Sequence, residues 1–288
     1  MKKYKYLLIL CLAFINCENK EEKLYDEDGN LLSIIQYDKN GIKDGVAKEF
    51  YKTGELKNIT RYKNGVIKDT SKKFYKNQKI EALSYSIGRN NFYETYYDNG
   101  HLQSKGKIID TIQSGWWKYY NKNGSIKSKI EYLNLEDYPS IKLKEFPNQV
   151  INYNTDGSIN KGQSNYFNFI FKDTIKVNSL EKGFIELIPN LSKETNFHKV
   201  YFWKEDISGN VLDIDSTYGT NTEKALLWFK VNDTGSYKLK GFIDEKGYKN
   251  KKNKNDSMKV DIIEESKKLF FEKIIYVEPH DDINEFNG

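Results

Sequence analysis

Beyond its first seventeen residues this 288-residue chain has no cysteine, because Cys11 and Cys17 are the only two. That excludes a disulfide framework, a catalytic thiol and thiolate metal sites from the rest of the chain. Proline is scarce, at 4 residues, and the 19 glycines are dispersed, so no long low-complexity linker is expected. Only three histidines occur, His101, His198 and His280, far apart and without metal-type spacing. His101 follows a turn glycine, His198 opens an expected strand, and His280 stands in a polar tail beside Asp281 and Asp282. No phosphate-cradling glycine loop, nucleophile elbow or zinc-helix motif is present. Neither a metal nor a cofactor is expected, and the chain is read as a non-enzyme. An excess of one charge sign is also missing. The formal charge of +5 falls to +2 without Lys2, Lys3 and Lys5, which gives no reason to expect a nucleic-acid partner.

What is present is aromatic and β-branched. Tyrosine numbers 22 and phenylalanine 16, against an apolar total of 38%. Such a composition favours strands over helices.

The one long apolar run, Leu7–Ile15, follows a short basic segment and is too short to span a bilayer. A polar stretch follows at once, the layout of a signal peptide over 1–16. The run ends Phe14-Ile15-Asn16-Cys17, which resembles the lipobox of bacterial lipoproteins. The resemblance implies lipidation at Cys17 and a membrane partner reached through that lipid. The charged stretch Glu18–Glu22 within the tether, 17–23, resembles signals that direct some lipoproteins to the outer face of the outer membrane. A cell-envelope, outer-membrane location with surface exposure is the expectation that follows.

A repeat runs through the next 140 residues. Gly29, Gly54, Gly100, Gly124 and Gly157 sit in Asp-Gly, Thr-Gly or Asn-Gly contexts, and Gln78 fills the same place in a degenerate copy. Successive steps are 25, 24, 22, 24 and 33 residues. Four positions before each anchor stands an aromatic: Tyr25, Phe50, Phe74, Tyr96, Tyr120, Tyr153. Two positions after it stands an aliphatic: Leu31, Leu56, Ile80, Leu102, Ile126, Ile159. A three-residue hairpin loop whose last residue has positive φ places the two equidistant from the loop centre, so they face each other. Such pairs contribute roughly 0.2–1 kcal/mol each. Gln78 in that conformation should cost roughly 1–2 kcal/mol.

One hairpin cannot bury its apolar face alone, so residues 24–163 read as an antiparallel hairpin-repeat sheet or solenoid. Tandem aromatics should place a ring on both faces. Tyr51, Tyr75, Tyr97, Trp116, Trp117 and Tyr119 form the candidate binding surface for an unidentified protein or glycan. Asp26-Glu27-Asp28-Gly29-Asn30 has calcium-loop character, but the equivalent Lys52-Thr53-Gly54 and Lys122-Asn123-Gly124 carry cations, so a plain turn accounts for all copies.

Tyr96-Tyr97-Asp98-Asn99-Gly100-His101-Leu102 and Gly115-Trp116-Trp117-Lys118-Tyr119-Tyr120 resemble the MORN-variant repeat of bacteria. The resemblance covers most of 24–134, with a further copy near 153–159. It implies a repeat sheet, and relatives labelled as antitoxins or linked to membrane lipids and scaffolding.

The stretch Leu133–Val150, with Pro139 and Pro147, interrupts the period. From 164 to 279 eight apolar runs follow: Tyr166–Phe171, Thr174–Val177, Gly183–Ile188, Lys199–Trp203, Val211–Ile214, Ala225–Val231, Tyr237–Ile243 and Leu269–Val277. Their spacing predicts a β-sandwich. Asp233-Thr234-Gly235-Ser236-Tyr237-Lys238-Leu239 resembles the Asp-x-Gly-x-Tyr-x-Cys signature of immunoglobulin-like domains. The resemblance implies a tyrosine corner at Tyr237, a core tryptophan at Trp203 and apolar packing at Leu239 in place of a disulfide. Lys249–Lys254 reads as a solvated loop before the last strand, and 280–288 as a polar tail.

The expected protein is therefore all-β: an antiparallel hairpin-repeat sheet or solenoid, then an immunoglobulin-like sandwich. Its expected role is a cell-envelope lipoprotein for binding, adhesion or scaffolding. Two alternatives stay open: an antitoxin or immunity-type protein that neutralises a partner, and a weak hydrolase built on a carboxylate pair assembled in space.

Overall fold

A computed structural model describes residues 20–135, 143–188, 197–220, 224–252 and 260–280. The leader over 1–16, Cys17, Pro139 and most of the polar tail lie outside these residues. Among the described residues there is no α-helix. The chain forms two compact units, 1–102 and 103–288.

The first unit holds β1 (20–25), β2 (31–37), β3 (43–50), β4 (56–63), β5 (66–67), β6 (71–74), β7 (80–87) and β8 (90–96). They pair antiparallel in the order β1-β2-β3-β4-β6-β7-β8, with the short β5 added to β4. The second unit takes up the hairpins with β9 (102–109), from its second residue on, then β10 (112–120), β11 (126–133) and β12 (146–152), again paired in chain order.

The expected repeat geometry is observed. Anchors Gly29, Gly54, Gln78, Gly100, Gly124 and Gly157 all have left-handed φ, between 62° and 93°. The predicted partners face each other: Tyr25 with Leu31, Phe50 with Leu56, Phe74 with Ile80, Tyr120 with Ile126, and Tyr153 with Ile159. Each turn is closed from both sides. Gly54 N–H donates to Tyr51 O at 2.8 Å and Tyr51 N–H to Glu55 O at 2.9 Å. The residue before the anchor is Asn or Asp in most copies because its side chain accepts from the main chain beyond the turn. Asn77, Asn99, Asn123 and Asp156 do this toward Lys79, His101, Ser125 and Ser158 at 2.9–3.0 Å. A one-residue register shift beside the first four of these pairs marks a bulge.

After β12 a short 3-10 turn (161–163) leads to β13 (166–170), β14 (174–176), β15 (181–188), β16 (197–206), β17 (211–220), β18 (225–229), β19 (235–252) and β20 (260–278). All eight expected runs are strands. They form two sheets, β13-β15-β18 and β14-β20-β19-β16-β17, with β14 parallel to β20. Both sheets contribute to one core. Ile185, Ala225, Leu227 and Phe229 come from the first, and Val200, Phe202, Leu239, Ile243, Leu269 and Ile275 from the second.

Two expectations are corrected here. Phe202, 1% exposed, enters the core instead of Trp203. Adjacent strand residues point to opposite faces, and Trp203 turns outward to donate its indole N–H to Glu205 Oε1 at 2.7 Å. The lysine-rich stretch is not a loop as far as Lys252. β19 and β20 stay paired from Gly235↔Val277 to Lys252↔Val260, because ladder hydrogen bonds between antiparallel neighbours need no apolar side chains.

Candidate binding surfaces

The register places Ile34, Val46, Phe50, Leu56, Ile59, Phe74, Ile80 and Leu83 on one face of the first unit. All are half-buried among the described residues, each ring or branched chain keeping part of its surface open. On the same face Tyr85 stacks on Phe92 with centroids 5.7 Å apart, and its hydroxyl donates to Glu94 Oε1 at 2.9 Å. Tyr96 donates to the other oxygen of Glu94. Burial, then this carboxylate, pushes the Tyr96 phenol above its usual range. Glu94 thus serves as a double acceptor between two rings.

A groove of about 470 Å³ opens on this face where β4 meets β6. Val46, Leu56, Ile59 and Phe74 form its floor, and Arg61, Asp69 and Lys72 its rim. The local cause is the third copy. β4 pairs with β6 only through Asn58↔Lys73 and Ile59↔Lys72, because the chain first detours through Asn64 and Gly65, both at positive φ, and β5. The gap in the ladder leaves the groove. Arg61 lies 3.9 Å from Asp69, and both are more than half exposed, so this pair is weak.

The tandem aromatics are deployed unevenly. Tyr51 and Tyr75 are half-buried, and their hydroxyls stitch one repeat to the next: Tyr51 donates to Phe74 O at 2.6 Å and Tyr75 to Tyr96 O at 2.7 Å. Tyr97 occupies the same turn position and is half-buried. Trp116 is 42% exposed, whereas Trp117 is 2% exposed and leaves the candidate surface. Its Nε1 donates to Lys107 O at 2.9 Å, and its ring stacks beside Tyr119 with planes inclined by 30° and centroids 6.3 Å apart. Tyr119 in turn exchanges hydrogen bonds with Tyr132 and Gln113 at 2.9 and 3.1 Å. Of the six proposed surface aromatics, Trp116 is the most open to a partner, and Trp117 is core.

The calcium-like segment is filled by its own turn. Asp26 Oδ1 accepts from Asp28 N and Asn30 N at 3.0 and 2.8 Å, and Asn30 Nδ2 bridges both oxygens. Hydrogen bonds from Asn30 hold the Asp26 carboxyl below its ordinary range. Asp206 and Asn210 build the same turn in the second unit.

The junction between the last hairpins and the two-sheet region was not foreseen. Asn148 is fully buried and satisfies both main-chain groups of Phe270, donating to its O at 2.8 Å and accepting from its N at 2.7 Å. Gln149 accepts from Phe167 N at 3.0 Å. Both amides also donate to Glu131 Oε2, at 2.7 and 2.8 Å. Asn165, also fully buried, donates to Glu245 at 2.9 Å. Residues of one irregular segment and one apolar strand give no sequence period, so no signal pointed to this network. The groove follows from the detour through Asn64, Gly65 and β5, which the spacing of the turn anchors does not register.

Residues 18–39, 43–64, 93–109 and 115–134 match the MORN repeat variant. The stretch between 64 and 93, which holds β5, Gln78 and one wall of the groove, lies outside those matches. A CRISPR-associated endoribonuclease Cas13a of Leptotrichia buccalis is 23% identical over 218 residues. That alignment takes in 62% of this chain and 18% of the endoribonuclease, so this chain spans under one fifth of that relative's length.

Proposed function

From a chain whose N-terminal region carries MORN repeat variants, we propose a non-catalytic binding and scaffold protein, exported and held at the cell envelope by lipid on Cys17. MORN repeats are in general binding or scaffold modules. The observation that carries the reading is the half-buried apolar face with its groove beside the degenerate third copy. Single-layer sheets leave such faces to partners, and a contiguous apolar patch on a soluble surface marks an interaction site. Two cations, Arg61 and Lys72, against one carboxylate, Asp69, on the rim suit a protein segment that presents apolar side chains beside carboxylates.

Anchoring rests on the basic start, the apolar run Leu7–Ile15 and the lipobox-like Phe14–Cys17. A surface-facing outer-membrane lipoprotein is the arrangement we infer, with the two-sheet region as an immunoglobulin-like domain. Supporting that last reading, Tyr237 donates its hydroxyl to Asp233 O at 3.1 Å, four residues upstream, as a tyrosine corner does. Leu239 is fully buried where antibody domains place a cysteine.

Cross-linking on intact membranes followed by pull-down tests the function. One specific protein, lost with Ile59→Asp and with Arg61→Glu but kept by Lys122→Glu, is the expected result. Equal capture by all three variants overturns the groove as the docking face. Fatty-acid labelling that persists in Cys17→Ala overturns the anchor.

A further inference from the structure

In the second unit β17 ends the strand order of its sheet among the described residues, with β16 as its neighbour. The register sorts its side chains. Asp213, Asp215 and Thr217 stand opposite Lys204, Phe202 and Val200, on the core side of the sheet. Ile214, Ser216 and Tyr218 stand opposite Trp203, Tyr201 and Lys199, on the outer side. Ile214 is 71% exposed and Tyr218 63%. Lys199 lies over the Tyr218 ring, 5.1 Å from its centroid, and still leaves it that open.

The main-chain groups divide in the same way. Ser216 N–H donates to the carboxylate of Asp215 at 2.7 Å, so it is turned away from β16. Along a strand the N–H and C=O of alternate residues point to the same edge, so Ile214, Ser216 and Tyr218 all direct theirs outward. Such an edge is a template for a further strand. β17 carries neither the proline nor the lysine that commonly blunts one.

The residue spacing selects the strand that fits. Ser216 lies midway between Ile214 and Tyr218. Two copies of β17 paired antiparallel about Ser216 set Ile214 of each opposite Tyr218 of the other, an aliphatic–aromatic pair on the outer side. The outward groups then exchange about six ladder hydrogen bonds. Neighbouring registers are worse. A two-fold axis at Asp213, Ile214 or Asp215 sets aspartate directly against aspartate, which repels, and one at Thr217 sets Tyr218 against Ser216. With the axis at Ser216, Asp215 meets Thr217. Asp213, held 2.7 Å from Lys204 of its own chain, meets Gly219. Ser216 N–H exchanges its bond to Asp215 for the carbonyl of the other copy.

We propose that β17 is a self-association edge: a second copy of this chain pairs antiparallel with it about Ser216, joining two five-stranded sheets across a two-fold axis. The edge is separate from the repeat groove, which lies in the first unit.

Sedimentation of the full chain in mild detergent, over about 1–100 μM, tests the association. A monomer–dimer equilibrium is the expected result. Ile214→Lys, at an already exposed position, should weaken it at least tenfold. Ser216→Pro removes an N–H that β16 does not receive, a change an edge strand tolerates, and should leave monomer. Unchanged near-ultraviolet circular dichroism shows that each variant is folded; if the proline unfolds its strand, Ile214→Lys decides. A short bis-maleimide should join Ser216→Cys copies, whose Cα atoms would lie about 5.5 Å apart, above the background wild type shows through Cys11 and Cys17. It should not join Leu212→Cys copies, about 27 Å apart in this register. A wild-type chain that stays monomeric, a dimer that survives both substitutions, or equal cross-linking at 212 and 216 overturns the proposal.

Discussion

The indole of Trp117 lies directly over Gly106, so close that a methyl group on that glycine would sit 2.4 Å from the ring. The contact explains how a large ring becomes 2% exposed in a sheet of half-buried residues. Gly106→Ala must push the ring aside and strain its hydrogen bond to Lys107 O. Overpacking of this kind costs about 1–3 kcal/mol. Urea unfolding followed by tryptophan fluorescence should show a lower midpoint with an unchanged slope. A midpoint equal to wild type would mean that the ring has room.

Gln78 holds a left-handed φ of 62° where other copies have glycine. Its Nε2 donates to Leu56 O at 3.1 Å, an exposed bond that recovers a little of the strain. Gln78→Gly should raise stability by roughly 0.5–1 kcal/mol once added unfolded-chain entropy is deducted. Gln78→Ala keeps the strain and loses the bond, so it should be less stable than wild type. Thermal midpoints moving in the same direction for both variants would contradict this account.

Tyr51 and Tyr75 act between repeats, each hydroxyl donating to a carbonyl of the next copy. Tyr51→Phe and Tyr75→Phe should each cost about 1 kcal/mol, and the pair about the sum, since the two bonds share no partner. Equilibrium denaturation of both single variants and the double variant checks the values. If the hydroxyls serve a ligand instead, stability should stay constant.

Asn148 satisfies both main-chain groups of Phe270 from a fully buried position. Asn148→Ala strands two buried polar groups, a loss of about 2–4 kcal/mol. Amide exchange at Phe270 should accelerate more than at Leu83, which lies in the first unit. Uniform acceleration at both would mean global unfolding without a local role.

His198 is 1% exposed, and burial pushes its pKa down to about 4. Glu245 and Gly219 are its register partners on either side, and Lys267 stands opposite Glu245. The unfolded chain takes up the proton near the ordinary value, about 6.5, while the folded protein resists it. Stability contributed by the neutral ring is therefore complete above about pH 6.5 and declines as pH falls toward about 4. The loss across that window is of order 3 kcal/mol. His198→Leu should flatten it, as measured by unfolding free energies at several pH values; the same acid slope in that variant would place the titration elsewhere.

Legibility followed the range of the interaction. Each hairpin is closed within seven residues, Phe50 to Leu56 for example, so turn chemistry and pair spacing were readable at once. Strand runs in the second half were equally visible, because apolar clusters between turns report on local burial. Which of two adjacent rings goes inside was not visible. Trp117 rather than Trp116, and Phe202 rather than Trp203, are chosen by bulges and register, where a one-residue slip exchanges the faces.

Read alone, the residues specify a chain of regularly spaced hairpins followed by a run of strands, since positive φ, ring and branched side chain recur within one turn's reach. Where the groove opens and where the junction closes follow from packing between distant strands. The groove depends on the short ladder between β4 and β6, and the junction network on Asn148 meeting Phe270 across 122 residues of chain. Contacts at that separation leave no period in a sequence, because closure of the intervening chain, and not local geometry, brings their partners together.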